Sequence, residues 1–289
     1  MSPQVIVNGI ILGALYACVG MGFSLVYGVL GISNLSHGAL LMLGSYVTYW
    51  LFTLYGVDPF LSIIPSMGVL FVIGYLMQKG VINRVMGADD RTSLILTFGF
   101  QWLLINLALV IFKGDYRAVT PSYAGQGFNI GPLTLPYSRL GVLLIAIAST
   151  IALQLFTTRT KVGNAIKAVA LNRKGAELCG VDINHIYAVT FGIGAALAGV
   201  AGSVSTMAYV LTPYIGQPLL SRAFVVTVLG GLGNVIGPLV GGLILGVAET
   251  TGAAILGTSY QEAISFIFLV VVLAIRPQGF FGRRFFGGA

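Results

Sequence analysis

The sequence predicts an all-α integral membrane protein with about eight transmembrane segments, including broken or re-entrant helices. The 289-residue chain is 57% hydrophobic and only 8% charged, whereas soluble domains carry roughly a quarter charged residues. Its length suits about eight spans of roughly 20 residues each. The sequence lacks the short alternating segments that would build a β-barrel, so the spans should be helices.

The apolar segments follow one another closely, which predicts a single transmembrane domain over residues 1–289. The expected spans are 5–29, 38–56, 59–78, 92–112, 138–158, 184–209, 221–248 and 262–276. The seventh of these spans is interrupted by several glycines and a proline.

The basic residues predict how these spans are oriented. Eleven of the 15 Lys and Arg residues lie in segments 79–91 and 159–182 and in the C-terminal segment from residue 276. Because cytoplasmic loops carry an excess of Lys and Arg, we expect these three regions in the cytoplasm and loop 113–139 outside. Orientation thus explains the net charge of +7, and no nucleic-acid partner is expected.

Residues 228–246, VLGGLGNVIGPLVGGLILG, combine a long apolar run with seven glycines and one proline. Under the predicted orientation, span 184–209 ends outside and span 262–276 begins there. Segment 221–248 must therefore start and finish on the outer side, which predicts a helical hairpin turning at about residues 230–234. Irregular backbone at membrane depth is tolerated where it is buried in protein or lines a wet cavity.

A second break occurs early in the chain, at residues 31–38 (GISNLSHG). Paired interruptions in the two halves of a chain point to the substrate path of a transporter. The residues that we expect to line this path are Asn34, Ser36, His37, Gly38, Gly230, Gly231, Gly233 and Asn234. Alternatively, the polar side chains of the first break satisfy the opened backbone of the break itself, as buried polar groups must.

Two charged residues flank the predicted hairpin. Arg222 opens it and Glu249 follows its outer end. Ionisable groups beside a membrane segment suggest a function, but a charged side chain at the interface can also reach water by extending along the helix. A salt bridge between the two would close the mouth of the hairpin.

The basic segment 162–183 predicts an amphipathic helix, with Ile166, Val169, Ala170 and Leu178 on a rough apolar stripe. Such a helix could dock onto a soluble partner. The alternative is an interfacial helix that lies on anionic lipid headgroups through its basic residues. The composition favours neither alternative over the other.

The sequence contains no catalytic constellation, which predicts a protein that is not an enzyme. Segment 230–233 (GGLG) lacks the Lys-Ser/Thr of a phosphate-binding Walker motif, so any ATP hydrolysis must come from another chain. No metal site is expected, because His37 and His185 are far apart in the sequence and no cluster of Cys or carboxylate residues accompanies either histidine. A stand-alone channel or facilitator for a small polar solute is the competing class.

Five motifs resemble the LivH permeases, the membrane subunits of branched-chain amino acid ABC importers. They are 27–38 (YGVLGISNLSHG), 168–173 (AVALNR), 180–182 (GVD), 228–249 (VLGGLGNVIGPLVGGLILGVAE) and 276–282 (RPQGFFG). The resemblance covers nearly the whole chain in order. It implies a type II-like ABC permease in the bacterial inner membrane, with the C-terminus and loop 159–182 in the cytoplasm.

The resemblance also implies the partners of the chain. These are a second, LivM-like permease, two ATPases of the LivG and LivF types that hold ATP-Mg, and a periplasmic binding protein; this chain itself binds no cofactor. Segment 162–183 becomes the loop that couples to an ATPase, and the residues implied in coupling are Ala170, Asn172, Arg173, Glu177 and Gly180. Because the same architecture serves urea and short-chain amide importers, these solutes remain alternatives to amino acids.

Overall fold

The computed structural model describes residues 3–86, 90–130 and 133–282, and helices dominate them. The first helices are α1 (Pro3–Leu30), α2 (His37–Tyr55), α3 (Ile63–Met77), α4 (Asn83–Val85), α5 (Asp90–Phe112) and α6 (Tyr137–Arg159). They are followed by α7 (Lys161–Leu171), α8 (Arg173–Leu178), α9 (Ile183–Ser205), α10 (Gly216–Gly230), α11 (Gly237–Leu256) and α12 (Gln261–Ile275). A π-helical turn, Gln78–Ile82, joins α3 to α4, and a 3-10 turn, Thr258–Tyr260, precedes α12.

Within the described residues, eight helical stretches are long and apolar enough to cross a membrane, as the sequence predicts. Their boundaries agree with the expected spans to within a few residues at most ends. The third and seventh spans differ most, because the π-helical turn carries the third on to Val85 and the last helix of the seventh runs to Leu256.

The interrupted seventh segment is a helical hairpin, as predicted, although it is longer than residues 221–248. Helix α10 ends at Gly230 and α11 begins at Gly237. In the turn between them, Gly231 and Gly233 have φ angles of +94° and +78°, which lie in the left-handed region that favours glycine. With 15 residues, α10 is about 22 Å long, so it is shorter than the roughly 30 Å thickness of a bilayer core.

The connecting segments form two groups at opposite ends of the bundle. We call one the loop end; it contains residues 56–62, 113–136, 206–215 and 257–260. We call the other the basic end; it contains residues 78–86, 160–182, 231–236 and 276–282. The predicted cytoplasmic residues Arg283 and Arg284 lie outside the described residues.

Contacts within each end support this grouping. At the loop end, Arg117 and Leu211 exchange backbone hydrogen bonds of 3.1 and 2.7 Å. At the basic end, the side-chain amide of Asn83 donates to the carbonyl of Asn184 at 3.1 Å. There too, the backbone N–H of Phe280 donates to the carbonyl of Leu229 at 2.7 Å, so the segment after α12 packs on the hairpin turn.

Helices α1 and α9 form the centre of the bundle, because nearly all of their central residues are buried. Helix α1 packs against α11 through glycines. A Cβ at Gly246 would overlap the backbone of Gly9 and Gly13, and one at Gly242 would lie 2.6 Å from the carbonyl oxygen of Gly13. Small residues let helix backbones approach closely in lipid, where the hydrophobic effect cannot drive their association.

The structure adds a small antiparallel hairpin to the predicted all-α fold. Strand β1 (Gly127–Ile130) pairs with β2 (Leu133–Pro136), with Gly127 opposite Pro136. It lies in the loop end, where the Gln4 side chain of α1 exchanges hydrogen bonds of 3.0 and 2.9 Å with the backbone of Thr134. The hairpin therefore anchors the start of α1.

The predicted single amphipathic helix over 162–183 is wrong in detail, because Asn172 divides the segment into α7 and α8. The Asn172 side chain accepts a hydrogen bond of 2.9 Å from the N–H of Gly175, which makes it the N-cap of α8. Ile166 and Val169 are buried as expected, but Ala170 is exposed and Leu178 is 90% exposed. The predicted stripe is therefore wrong at Ala170 and Leu178, and the buried residue of α8 is Ala176.

Candidate functional site

Helix α2 begins deep inside the bundle. After α1 ends, residues 31–36 run back towards the middle of the molecule, and Gly31 permits this reversal with a φ of +72°. A Cβ at Gly22 would lie 2.8 Å from the His37 ring and 2.6 Å from the carbonyl oxygen of Gly194, the middle residue of α9. His37 thus lies between α1 and α9, about halfway along α9.

The His37 side chain is fully buried. Its Nε2 lies 3.0 Å from the carbonyl oxygen of Val19, and its ring meets Phe23 edge-on at 5.9 Å between centroids. Its Nδ1 has no hydrogen-bond partner among the described residues. The ring therefore has one nitrogen with a hydrogen-bond partner and one buried nitrogen without a partner among the described residues.

Asn34 and Ser36 support the backbone of the break. Asn34 Oδ1 accepts hydrogen bonds from the backbone N–H of Ser36 at 3.1 Å and from the Ser36 hydroxyl at 2.6 Å. The N–H of Leu35 donates to Thr97 Oγ1 of α5 at 3.3 Å. These contacts correspond to the alternative in which the polar side chains satisfy the opened chain.

Asn234 plays the same part in the hairpin turn. Its Oδ1 accepts hydrogen bonds from the N–H groups of Ile236 and Gly237, at 2.8 and 2.9 Å. Like Asn34, it therefore holds the backbone just before the next long helix begins. The two breaks share this device.

The glycines of both breaks lie at close backbone contacts. Gly38 packs on Gly216 at the start of α10, and Gly230 packs on Gly237 across the hairpin. Gly231 meets Gly282 of the C-terminal segment, and Gly233 meets Gly28 of α1. Each contact leaves no room for a side chain on the glycine.

Both sets of expected path residues contact the same stretch of α1. His37 lies against Val19 and Gly22, while the carbonyl of Asn234 accepts a hydrogen bond of 3.1 Å from Ser24. The structure thus brings both breaks to residues 19–28 of α1. None of the four cavities that we measured among the described residues is lined by these expected path residues.

The residues implied in coupling form an exposed surface at the basic end. This surface, which we call the α7–α8 surface, consists of Ala170, Asn172, Arg173, Glu177 and Gly180, all exposed. The Arg173 guanidinium also lies 5.5 Å from the centre of the Tyr187 ring of α9. The buried residues Ile166, Val169 and Ala176 hold the two short helices against the bundle.

A buried polar network connects both arms of the hairpin to their neighbours. Glu249 of α11 has no exposed surface, and its Oε1 lies 3.4 Å from Nε of Arg222 in α10. Tyr16 of α1 donates a hydrogen bond of 2.6 Å to Glu249 Oε2, and Ser265 of α12 donates to Oε1. The salt bridge that the sequence left open therefore exists, and the alternative in which Glu249 extends to water is wrong.

Sequence reasoning did not identify Tyr16 or Ser265 as partners of Glu249. Tyr16 lies 233 residues from Glu249 and Ser265 lies 16 residues from it in another helix, and no local pattern marks either residue. The N-cap role of Asn172, in contrast, has a local signal, because Asn is a preferred capping residue. In the residues that the structure describes, no group of three His, Cys, Asp or Glu side chains could hold a metal ion.

Comparison with known proteins gives a consistent result. Residues 5–273 match the family described as the permease component of the branched-chain amino acid transport system. The chain is 33% identical over 294 residues to the high-affinity branched-chain amino acid transport system permease protein BraD of Pseudomonas aeruginosa, covering 97% of this chain and 95% of that protein.

The LivH permease protein of Escherichia coli, which carries the same description, is 31% identical over 294 residues with the same coverage. The solved structure of PsaBC from Streptococcus pneumoniae in complex with Fab resembles the chain with a TM-score of 0.50 at 14% identity. That match covers 95% of this chain and 93% of the other, and it supports the fold alone.

Proposed function

The chain belongs to the family of branched-chain amino acid permease components, and on that premise we propose that it is a permease subunit of a binding-protein-dependent ABC importer. It moves branched-chain or related amino acids across the bacterial inner membrane into the cytoplasm. The observation that carries this proposal is the family match over residues 5–273. The alignments with the two relatives named above support it, because each covers 95% of the relative's length.

The proposed importer contains four further proteins. A LivM-like permease pairs with this chain, LivG- and LivF-like ATPases bind ATP-Mg, and a periplasmic binding protein delivers the solute. This chain binds no cofactor and hydrolyses no ATP. The basic end faces the cytoplasm and the loop end faces the periplasm, which agrees with the excess of Lys and Arg at the basic end.

The two breaks are the parts of this chain that we assign to the solute path. Their unwound backbone lies beside residues 19–28 of α1, and the free His37 Nδ1 can form a hydrogen bond with a passing solute. Broken helices near the middle of the membrane are typical of substrate sites in transporters. In the importer this path lies along the interface with the second permease.

The α7–α8 surface couples this chain to an ATPase. When ATP closes the nucleotide-binding subunits, movement of α7 and α8 is transmitted to the bundle through Ile166, Val169 and Ala176, which are buried against it. The two permeases then rock about the broken segments and open the path first outwards and then inwards. A conformational step of this kind requires the moving element to be packed against the part that it moves. Helix α7 meets this requirement, because Ile166 and Val169 are buried.

ATP-driven uptake by the reconstituted importer tests this proposal. Wild-type proteoliposomes should accumulate labelled leucine when ATP and the loaded binding protein are present. Glu177→Trp should abolish uptake but leave folding and membrane insertion intact, because Glu177 is exposed. Ser122→Trp, at an exposed loop-end position, is the matched control; full uptake by Glu177→Trp would refute the coupling role.

The same assay separates the alternative functions. Urea or short-chain amide uptake in place of leucine uptake would assign the chain to that importer class. Solute flux through this chain alone, without ATP or partner proteins, would instead indicate a channel. Co-purification of two ATPases and a second permease in mild detergent supports the importer.

A further inference from the structure

We propose that a polar cavity at the loop end, between α1, α6 and α11, is an entry site that binds a free amino acid with a short apolar side chain through its carboxylate. This inference rests on the proposed function for the identity of the solute. The site is separate from the two breaks, and its residues are Asn8, Ser138, Arg139, Tyr209 and Thr250 on the polar side.

The cavity has a volume of about 310 Å³, within the range of small-molecule sites. Its floor comes from the loop-end half of α1, and its walls come from the start of α6, from α11 and from the segment after α9. Under the proposed orientation, it opens on the face where the binding protein delivers its solute.

Arg139 supplies the charge that a carboxylate requires. Its Nη1 donates a hydrogen bond of 3.0 Å to Asn8 Oδ1, and no carboxylate of the described residues lies within ion-pair distance of it. An arginine fork can bind a carboxylate with two parallel hydrogen bonds. Arg139 is an exposed cation that has no carboxylate partner among the described residues. Beside a cavity on the outer face, it is therefore suited to the carboxylate of an incoming amino acid.

The remaining lining matches the rest of such a solute. Leu15 and Val142 are buried apolar residues of the cavity wall, with Leu12 and Met207 beside them, and they suit a branched aliphatic side chain. The hydroxyl groups of Tyr209 and Thr250 can accept hydrogen bonds from an ammonium group. Because these acceptors are neutral, they hold the solute weakly, as a transit site must.

Tyr209 connects the cavity to the buried network beneath it. Burial raises the pKa of Tyr209, so its hydroxyl stays protonated at physiological pH. Tyr209 lies within electrostatic range of Arg222 and Glu249, and Glu249 accepts a hydrogen bond from Tyr16. The solute site thus contacts a side chain that lies close to charged groups on both arms of the α10–α11 hairpin.

Equilibrium binding of tritiated L-leucine to the purified importer, without the binding protein, tests the site. We expect saturable binding that L-leucine competes and that leucinol, which lacks the carboxylate, does not. Arg139→Gln should weaken binding about tenfold or more, because it removes a charge-assisted interaction. Ala208→Trp should abolish binding, since Ala208 is an exposed lining residue and a bulky side chain there fills the cavity.

Two loop-end variants away from the cavity are matched controls. Lys113→Gln removes a cation and Ala124→Trp adds bulk, both at exposed positions, and both should bind leucine as the wild type does. The proposal is overturned if the wild-type importer binds no leucine, if leucinol competes equally, or if Arg139→Gln and Ala208→Trp bind normally. It is also overturned if Arg139→Gln reduces only the amount of co-purified anionic lipid, because the cavity then holds a lipid headgroup.

ATP-driven uptake distinguishes this failure from a failure of the proposed function. If the wild type takes up leucine but the cavity variants bind leucine as the wild type does, the entry site is refuted. The assignment of the chain to an importer then still holds. Absence of leucine uptake by the wild type refutes the proposed function, and the binding measurement still decides what the cavity holds.

Discussion

Glu249 Oε1 of α11 lies 3.4 Å from Nε of Arg222 in α10, in a place where Glu249 has no contact with solvent. The pair therefore ties the two arms of the hairpin together. The approach is one of opposite charges rather than an aligned hydrogen bond, because Arg222 Nε has no hydrogen-bond partner among the described residues. The hydroxyl groups of Tyr16 and Ser265 donate hydrogen bonds to the Glu249 carboxylate.

Removing one member of this pair should destabilise the protein strongly. Glu249→Leu leaves the partly buried Arg222 guanidinium without its counter-ion, and removing one partner of a fully buried pair costs about 3–5 kcal/mol in other proteins. The double variant Arg222→Met/Glu249→Leu should recover most of that loss, because apolar residues of similar size can replace a buried pair. Thermal unfolding in detergent measures the stability of the wild type, of Glu249→Leu and of the double variant. A double variant as unstable as Glu249→Leu would contradict this account.

Gly246 should tolerate no side chain, because it lies at the contact between α1 and α11. A methyl group there overlaps the backbone of Gly9 and Gly13, so Gly246→Ala should cost about 1–3 kcal/mol of unfolding free energy. Gly99→Ala in α5 is the control, since no atom lies within 4 Å of its added Cβ, and alanine favours a helix. Equal stability of the two variants would show that α1 and α11 are not packed this closely.

Variants of His37 can separate its structural role from a role in the path. His37→Leu removes the hydrogen bond to the carbonyl of Val19 and should lower stability by about 1 kcal/mol. The amide of Gln can still donate to that carbonyl, so His37→Gln should recover part of the stability. If His37 contacts the solute, both variants reduce uptake; full uptake by a stable His37→Gln protein would make the residue purely structural.

The two cysteines can report the orientation of the chain. Cys179 is exposed at the basic end, and Cys18 is buried in α1. A membrane-impermeant maleimide should therefore label Cys179 in inside-out vesicles and not in intact cells. Cys18 should react only after denaturation. A cysteine introduced by Ser122→Cys at the loop end should be labelled in intact cells and not in inside-out vesicles. Labelling of Cys179 in intact cells would reverse the proposed orientation.

The division between local and long-range information explains which predictions succeeded. The spans follow from apolar runs and the turn of the hairpin from its glycines, both of which are read within a short segment, and the distribution of charges along the chain adds the orientation. The split at Asn172 was also local but was missed, because the helical period continues on either side of it. The location of α2's first residue against the middle of α9 was not predictable, since it depends on where residues 31–36 run in space.

The sequence by itself determined the class of protein, the number of spans and the positions of the two breaks, because hydropathy, charge and backbone freedom are properties of each residue. Only the tertiary structure decided that Glu249 is neutralised by Arg222 and held by Tyr16 and Ser265. The same is true of the Arg139 cavity, whose walls come from four separate parts of the chain. Such groupings arise when helices pack, and the contacts that define them join residues distant in sequence.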